Sequence, residues 1–327
     1  MKAKKIVSLV LALILALGAT LAITSCDKAK YTVGICQLVK HDALDAATNG
    51  FKQALIDKLG AENVVFDEQN AAGSPDTCAT IVSSFVTKRV DLIMANATPA
   101  VQAAQNATLD IPILGTSVTE YGVALGIDNF SGTVGGNVSG TSDLAPLDQQ
   151  AQMILDIFPE AKTVGLLYCS AEANSAYQVQ KVKEYLTAKG VTCVDYKFSD
   201  SNDVSLVAQN AAANSDVIYV PTDNTAADCA QMIYGAISQS KTPIIAGEEN
   251  ICKGCGVATL SINYYDLGYK TGEMAAEILL KKADIKTMPI AYTPEEKLKK
   301  KYNKTICDAF GVDTAALEAM GYIAIEG

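Results

Sequence analysis

The chain has no tryptophan, one arginine (Arg89) and one histidine (His41). A single histidine leaves few routes to general base catalysis, which would then fall to carboxylates. Arg89 lies at an expected helix end, so a guanidinium clamp on an anionic ligand is disfavoured. Helix N–H groups and hydroxyls would have to hold any carboxylate. Pyranose sites often use tryptophan as a stacking platform; its absence disfavours a sugar, although fourteen tyrosines remain. Basic charge is also scarce. A net charge of -10 argues against a nucleic-acid partner. The G-x-S-x-G, H-E-x-x-H and P-loop signatures are missing, and the glycine-rich run Gly132 to Gly140 lacks G-x-G-x-x-G. Beyond the first 26 residues no stretch approaches the ~20 apolar residues that span a bilayer.

The first 26 residues read as an export segment. Lys2, Lys4 and Lys5 precede an apolar run from Ile6 to Ala22. Ile23-Thr24-Ser25-Cys26 then resembles a bacterial lipobox, in which the cysteine takes a lipid and becomes the first residue. An uncleaved membrane anchor is the alternative. Either way the remaining chain is expected outside the cytoplasmic membrane, with residues 27–30 as a polar tether. Eight cysteines follow Cys26, an even number compatible with disulfides in an exported protein. Several fall in expected strands and helices, where cysteine acts as a small apolar residue. Only Cys252-Lys-Gly-Cys255 has motif spacing, and it reads as a local disulfide or two free thiols. No second pair or nearby histidine completes a zinc site, so neither metal nor cofactor is expected.

The rest of the chain repeats one grammar. Tyr31 to Cys36 reads as a strand, and His41 to Gly60 as a helix with Leu44, Ala47, Phe51, Leu55 and Leu59 on one face. Asn63 to Phe66 is a second strand, Ser74-Pro75 opens a second helix, and Asp91 to Ala95 is a third strand. Thr98-Pro99 opens a third helix with Thr98 as its cap, and Ile111 to Gly115 is a fourth strand. Thr163 to Tyr168 then echoes Tyr31 to Cys36, the helix from Asn174 to Lys189 stops at Gly190, and Pro243 to Ala246 echoes Pro112 to Leu114. Strands alternating with helices give parallel sheets covered on both faces. The repeat predicts two similar Rossmann-like α/β lobes, one large doubly wound domain being the alternative. The helix around Leu267, Ala275 and Ile278 is expected back on the first lobe, with a crossover near Asn263.

In open α/β sheets the ligand crevice lies beyond the carboxyl ends of the strands. Asn96-Ala97-Thr98 and Thr222-Asp223-Asn224 occupy such ends at matching places in the two lobes, each at a helix N-terminus that favours an anion. Ser117, Thr119, Glu248, Glu249, Gln37 and the stretch Ser170 to Asn174 also follow strands. Capping is the bland reading for Thr98 and Asp223, and solvation for one of the two glutamates. His41 reads as a polar residue near a helix start rather than a catalyst. The pattern is a cleft with polar ends and no catalytic machinery.

Seven stretches carry a more specific signal: QLVKHDALDAATNGF, ATPAVQAAQNAT, DIPILGTSVTE, GGNVSGTSDL, AKTVGLLYCSAEANSAYQV, DVIYVPTDNT and INYYDLGYKTGEMAA. In this order the chain resembles the type I, Venus-flytrap substrate-binding lipoproteins of bacterial ABC importers, in their tryptophan/tyrosine branch. Cys169 and the Cys252/Cys255 pair depart from that pattern. The resemblance implies two lobes joined by three crossovers, hinge closure on an amino acid, often aromatic, and delivery to a permease with its ATPase. It implies residues 31–141 with 263–288 as lobe one and 142–262 with 289–327 as lobe two, a monomer, and a lipid on Cys26. Thr98, Ser117 and Thr119 would hold the α-carboxylate; Asp143, Asp223 and Glu248 or Glu249 the ammonium; Gln37, Asn174 and Asn263 would complete the shell. A sensor of the same fold for a branched-chain amino acid, nucleoside or sugar, and an enzyme working through Asp and Glu, remain open at this point.

Overall fold

The computed structural model describes residues 30–325. The export segment with Cys26 and the tether up to residue 29 lie outside the described residues. The described residues hold thirteen short strands. The first five are β1 (Tyr31–Gln37), β2 (Val64–Asn70), β3 (Leu92–Asn96), β4 (Ile113–Val118) and β5 (Val138–Ser142). The next five are β6 (Thr163–Cys169), β7 (Thr192–Phe198), β8 (Val217–Val220), β9 (Ile244–Ala246) and β10 (Ala258–Ser261). The last three are β11 (Ala291–Tyr292), β12 (Lys299–Tyr302) and β13 (Ile323–Ala324). They form two sheets, ordered β11-β5-β4-β3-β1-β2 and β13-β12-β10-β9-β8-β6-β7. The sub-orders 5-4-3-1-2 and 10-9-8-6-7 are the same winding used twice, as the repeat predicted. Among these strands only the β10–β12 pair is antiparallel, and β13, parallel to β12, runs with it against the rest of its sheet.

The central strands are continuous apolar runs because helices cover both faces; every residue of β3 and β4 is buried. The two halves also share a hinge-distal device. Asp91 Oδ2 accepts the Thr32 N–H at 2.7 Å, and Asp216 Oδ2 accepts the Thr163 N–H at 2.8 Å. Helix Asp42–Leu59 stops at Gly60, whose φ of 88° suits a residue without Cβ. Ser74 caps helix Pro75–Lys88 as expected, accepting from the Thr77 N–H. Helix Thr98–Ala107 differs: its cap is Ala97, with no side-chain bond, and Thr98 is already its first residue. At a φ of 87° Ala97 turns the chain so sharply that the Thr98 hydroxyl cannot lie ahead of the helix.

Helix Tyr264–Leu279 packs on helix Asp42–Leu59 of the first lobe through three glycines. A Cβ at Gly268 would strike the Ala47 carbonyl, at Gly272 the Phe51 carbonyl, and at Gly50 the Tyr265 carbonyl. Bare backbone is the only solution to this approach. Gly268→Val is therefore expected to lower unfolding stability by about 3 kcal/mol, the upper range for overpacking, read as a lower denaturant midpoint at unchanged slope.

The chain crosses between sheets after β5, after β10 and between β11 and β12. The last crossing comes later than the boundary expected at 288. Ser139 Oγ donates to Met288 O at 3.0 Å and the Ile290 N–H to Gly132 O at 2.8 Å, and these bonds tie residues up to Tyr292 to the first sheet. The eight cysteines of the described residues are free thiols. Cys252 and Cys255 are both fully buried, and burial pushes both thiols up. Among the described residues, no His/Cys/Asp/Glu group has metal-site geometry, and no helix is long and apolar enough to cross a membrane.

Candidate functional site

From Tyr31 on, the two sheets belong to one compact unit. A cavity lies between them at the carboxyl ends of the strands. From the first lobe it is walled by His41, Ala43, Leu44, Ser117 and Thr119. Asp143 and Tyr264 wall it from the crossovers, and Asn174, Thr222, Asp223, Asn224, Ala227 and Glu248 from the second lobe. The lobes meet around it: Lys253 Nζ lies 3.9 Å from Asp42 Oδ2 across the cleft.

Local backbone choices aim these groups. The β4–β5 register shifts between Gly115 and Val118, and Ser117 sits at a φ of 53°. A non-glycine residue in this left-handed region costs about 1–3 kcal/mol and clusters at binding sites. Helix Asp42–Leu59 has no side-chain cap, since His41 makes no capping bond. Its free N–H groups therefore open beside Ala43 and Leu44 in the cavity wall.

The three carboxyls of the cavity are all deeply buried, and burial drives each upward. Asp143 is pushed up to about 6 by burial, opposed by the neighbouring hydroxyls of Tyr264 and Thr119, of which only Tyr264 makes a hydrogen bond of good geometry. Glu248 rises to about 7, opposed by the Asn250 and Ile251 N–H groups. Asp223 rises to about 8, with the neighbouring Glu172 charge adding to burial. Their oxygens differ in availability. Asp223 accepts the Ala226 N–H at 2.8 Å and the Cys169 N–H at 2.7 Å, so both oxygens are used. Glu248 accepts from Asn250 and Ile251 with its two oxygens. Asp143 Oδ2 accepts from Tyr264 Oη at 2.9 Å, but Oδ1 has no partner. Ser117 Oγ, Asn174 Oδ1 and both His41 nitrogens are likewise buried and unpaired. Buried polar groups are nearly always paired, so this concentration around one cavity marks where a polar ligand belongs.

Ser117, Thr119, Asp143, Asn174, Thr222, Asp223, Asn224 and Glu248 thus come together as expected. Four expected residues do not. Gln37 donates to Val39 O at 2.8 Å and to Asp45 Oδ1 at 2.6 Å, and it accepts from Thr48, which keeps its amide inside the first lobe. Thr98 is buried in the first turn of its helix, outside the cavity wall. Glu249 pairs with Lys301 at 2.6 Å, which answers the choice between the two glutamates. Asn263 caps helix Tyr264–Leu279 by accepting the Asp266 N–H at 3.0 Å. Residues not anticipated are Tyr264 and His41 as a wall residue, while Glu172 lies within the expected stretch Ser170 to Asn174. Glu172 accepts from the Asn224 and Thr225 backbone N–H groups at 3.1 and 2.9 Å and so positions the Asp223–Asn224 loop. Its signal was the AEAN stretch after β6, read only as a strand end.

Two similar lobes, a hinge of crossovers and an interior site of unpaired polar groups define a protein that closes on a small molecule. Residues 32–315 match the family model for ABC transporter substrate binding proteins, and the chain belongs to that family. It is 37% identical over 293 residues to a tyrosine-binding protein of Clostridioides difficile (strain R20291), covering 85% of each chain. An ABC domain in complex with L-Trp from Streptococcus pneumonia matches with a TM-score of 0.84 and 30% identity, over 90% of this chain and 100% of that one. A ligand-free, open substrate binding protein with adhesive properties from Clostridium difficile matches at 0.68 and 38% identity, with the same coverage of 90% and 100%. The lobes here are thus arranged more as in the L-Trp complex than as in the open relative, despite the lower identity to the former. These relatives are solute-binding proteins, not enzymes. As a member of the family, the chain works outside the cytoplasmic membrane and delivers a small molecule to a permease.

Proposed function

We propose that the protein captures an aromatic amino acid between its lobes and hands it to its importer. The carrying observation is the set of unpaired groups in the cavity, which fits an α-amino acid zwitterion. Asp143 Oδ1 is a free carboxylate oxygen for the ammonium. Ser117 Oγ provides a hydroxyl donor for the carboxylate. Ala43, Leu44 and Ala227 give apolar wall for a ring. The tyrosine-binding relative and the L-Trp complex support an aromatic side chain. Hydrogen bonds to charged groups contribute roughly 1.5–3 kcal/mol each, so a few reach the roughly 8 kcal/mol of micromolar binding. Closure follows from tighter binding to the shut state. A lipid on Cys26 would tether this monomer beside the permease.

A thermal-shift screen of residues 29–327 against amino acids, nucleosides and sugars tests the reading. Ligand at a hundred times its dissociation constant adds about 2.7 kcal/mol, a rise of several degrees. The rise is expected with tyrosine, tryptophan or phenylalanine. A rise confined to a nucleoside or sugar would refute the amino-acid ligand and keep the fold's mode of action.

A further inference from the structure

We infer that His41 and Asn174 together form a subsite for a hydroxyl group on the ligand's aromatic ring, which makes the cavity select tyrosine over phenylalanine. This rests on the amino-acid reading above and names the ligand within it. The two residues face the cavity from opposite lobes. His41 precedes helix Asp42–Leu59, and Asn174 lies in the first turn of helix Ala173–Ala188.

Both ring nitrogens of His41 are buried without a hydrogen-bond partner. Burial holds the imidazole below its ordinary range, against the opposing pull of the Asn224 amide and of Asp228, Glu172 and Asp45. The Asn224 contact falls short of good hydrogen-bond geometry. A neutral imidazole carries one N–H donor and one acceptor. Asn174 supplies the complementary group. Its Nδ2 faces two acceptors, Glu172 Oε2 at 3.3 Å and Thr222 O at 3.2 Å, and that fixes the amide's orientation. Oδ1 is then the oxygen left unpaired.

A phenol hydroxyl both donates and accepts. It donates to Asn174 Oδ1 and accepts from the His41 N–H, bridging the lobes with one atom. Ala43, Leu44 and Ala227, beside His41 and Asn224 in the chain, flank the ring that carries it. Phenylalanine would leave both groups buried and unpaired, and an indole N–H would satisfy only Asn174. Sites built to bind a hydroxyl reject the analogue that lacks it far more strongly than apolar pockets reject an extra group.

The test is calorimetric titration of the purified protein and of His41→Leu and Asn174→Ala with L-tyrosine and L-phenylalanine. Wild type should prefer tyrosine by about 100-fold, the effect of two buried hydrogen bonds. Either substitution should cut the preference to about tenfold, chiefly by weakening tyrosine, as one of the two bonds remains. A wild-type ratio near one, with both ligands tight, overturns the hydroxyl subsite alone. So does a preference that survives both substitutions undiminished. Binding of neither ligand overturns this subsite, and the amino-acid reading falls with it when L-tryptophan also fails to bind. Because His41 is the only histidine, its imidazole nitrogens give an unambiguous NMR signal in unmutated protein. Tyrosine, not phenylalanine, should shift it, and equal shifts with both would contradict the subsite even if the variants misfold.

Discussion

Asp143→Asn is expected to weaken amino-acid binding about 100-fold while the protein stays folded. Asp143 sits where the chain leaves the first sheet, and all three cavity carboxyls are buried. Glu248 spends both oxygens on backbone N–H groups of the helix it caps, and Asp223 spends one on its own helix and one on the Cys169 N–H at the end of β6. Only Asp143 Oδ1 is left over for a ligand. A bond between an ammonium and a carboxylate is charge-assisted and contributes roughly 1.5–3 kcal/mol. Asparagine keeps an acceptor for Tyr264 Oη and removes a buried charge, so the ligand-free protein should lose no thermal stability. Titration calorimetry reads the affinity and a melting curve reads the fold. Unchanged affinity would take the ammonium away from Asp143. The same substitution at Asp223 should act through stability, because an amide keeps the cap on Ala226 but puts an NH2 where Oδ2 accepts the buried Cys169 N–H.

The second large effect is of pH. In the ligand-free protein Asp143 is raised to about 6, Glu248 to about 7 and Asp223 to about 8, chiefly by burial. Between the unfolded carboxyl range near 4 and these values, the folded state binds more protons than the unfolded state. Unfolding stability therefore falls as pH rises through that window. The ligand-free melting temperature should drop from pH 5 to pH 8. An ammonium on Asp143 favours the ionised carboxyl, so ligand affinity should run the opposite way. Asp143 alone predicts about a tenfold loss in affinity from pH 8 to pH 5, at one decade per unit below its value. The melting shift given by a fixed ligand concentration should shrink accordingly. An affinity flat across this range would contradict an ammonium held by a buried carboxylate.

Much of this was legible in the chain because it rests on local chemistry. Apolar runs such as Leu92–Ala95 and Val217–Val220 encode strands buried on both faces, and their repetition encodes the second lobe. Polar residues after those strands line the cavity, as Ser117, Thr119 and Asp223 do, whereas Asp143 is named only by the family resemblance. The failures share one cause: helix caps and cleft walls use the same residue types. Asn263 and Glu248 are both caps, and only the crossing of the chain puts Glu248 in the cavity and Asn263 beside it. Glu249 is one residue on, turned to Lys301. Gln37 looked like a strand-end ligand group, but Thr48 and Asp45 on the next helix claim it. Tyr264 reaches Asp143 across 121 positions of sequence, a contact no local pattern announces. His41 was discounted because histidine before a helix is ordinary; its two unpaired nitrogens appear only once the second lobe covers it.

The central claim is that the cavity reads both charged ends of an α-amino acid. Its most direct test is titration of the protein with L-tyrosine beside two truncated analogues. Tyramine lacks the carboxylate, and 3-(4-hydroxyphenyl)propionate lacks the ammonium. The account predicts micromolar or tighter binding of L-tyrosine and at least about 100-fold weaker binding of each analogue, the loss of one charge-assisted contact set. Either analogue binding as tightly as the amino acid would contradict it.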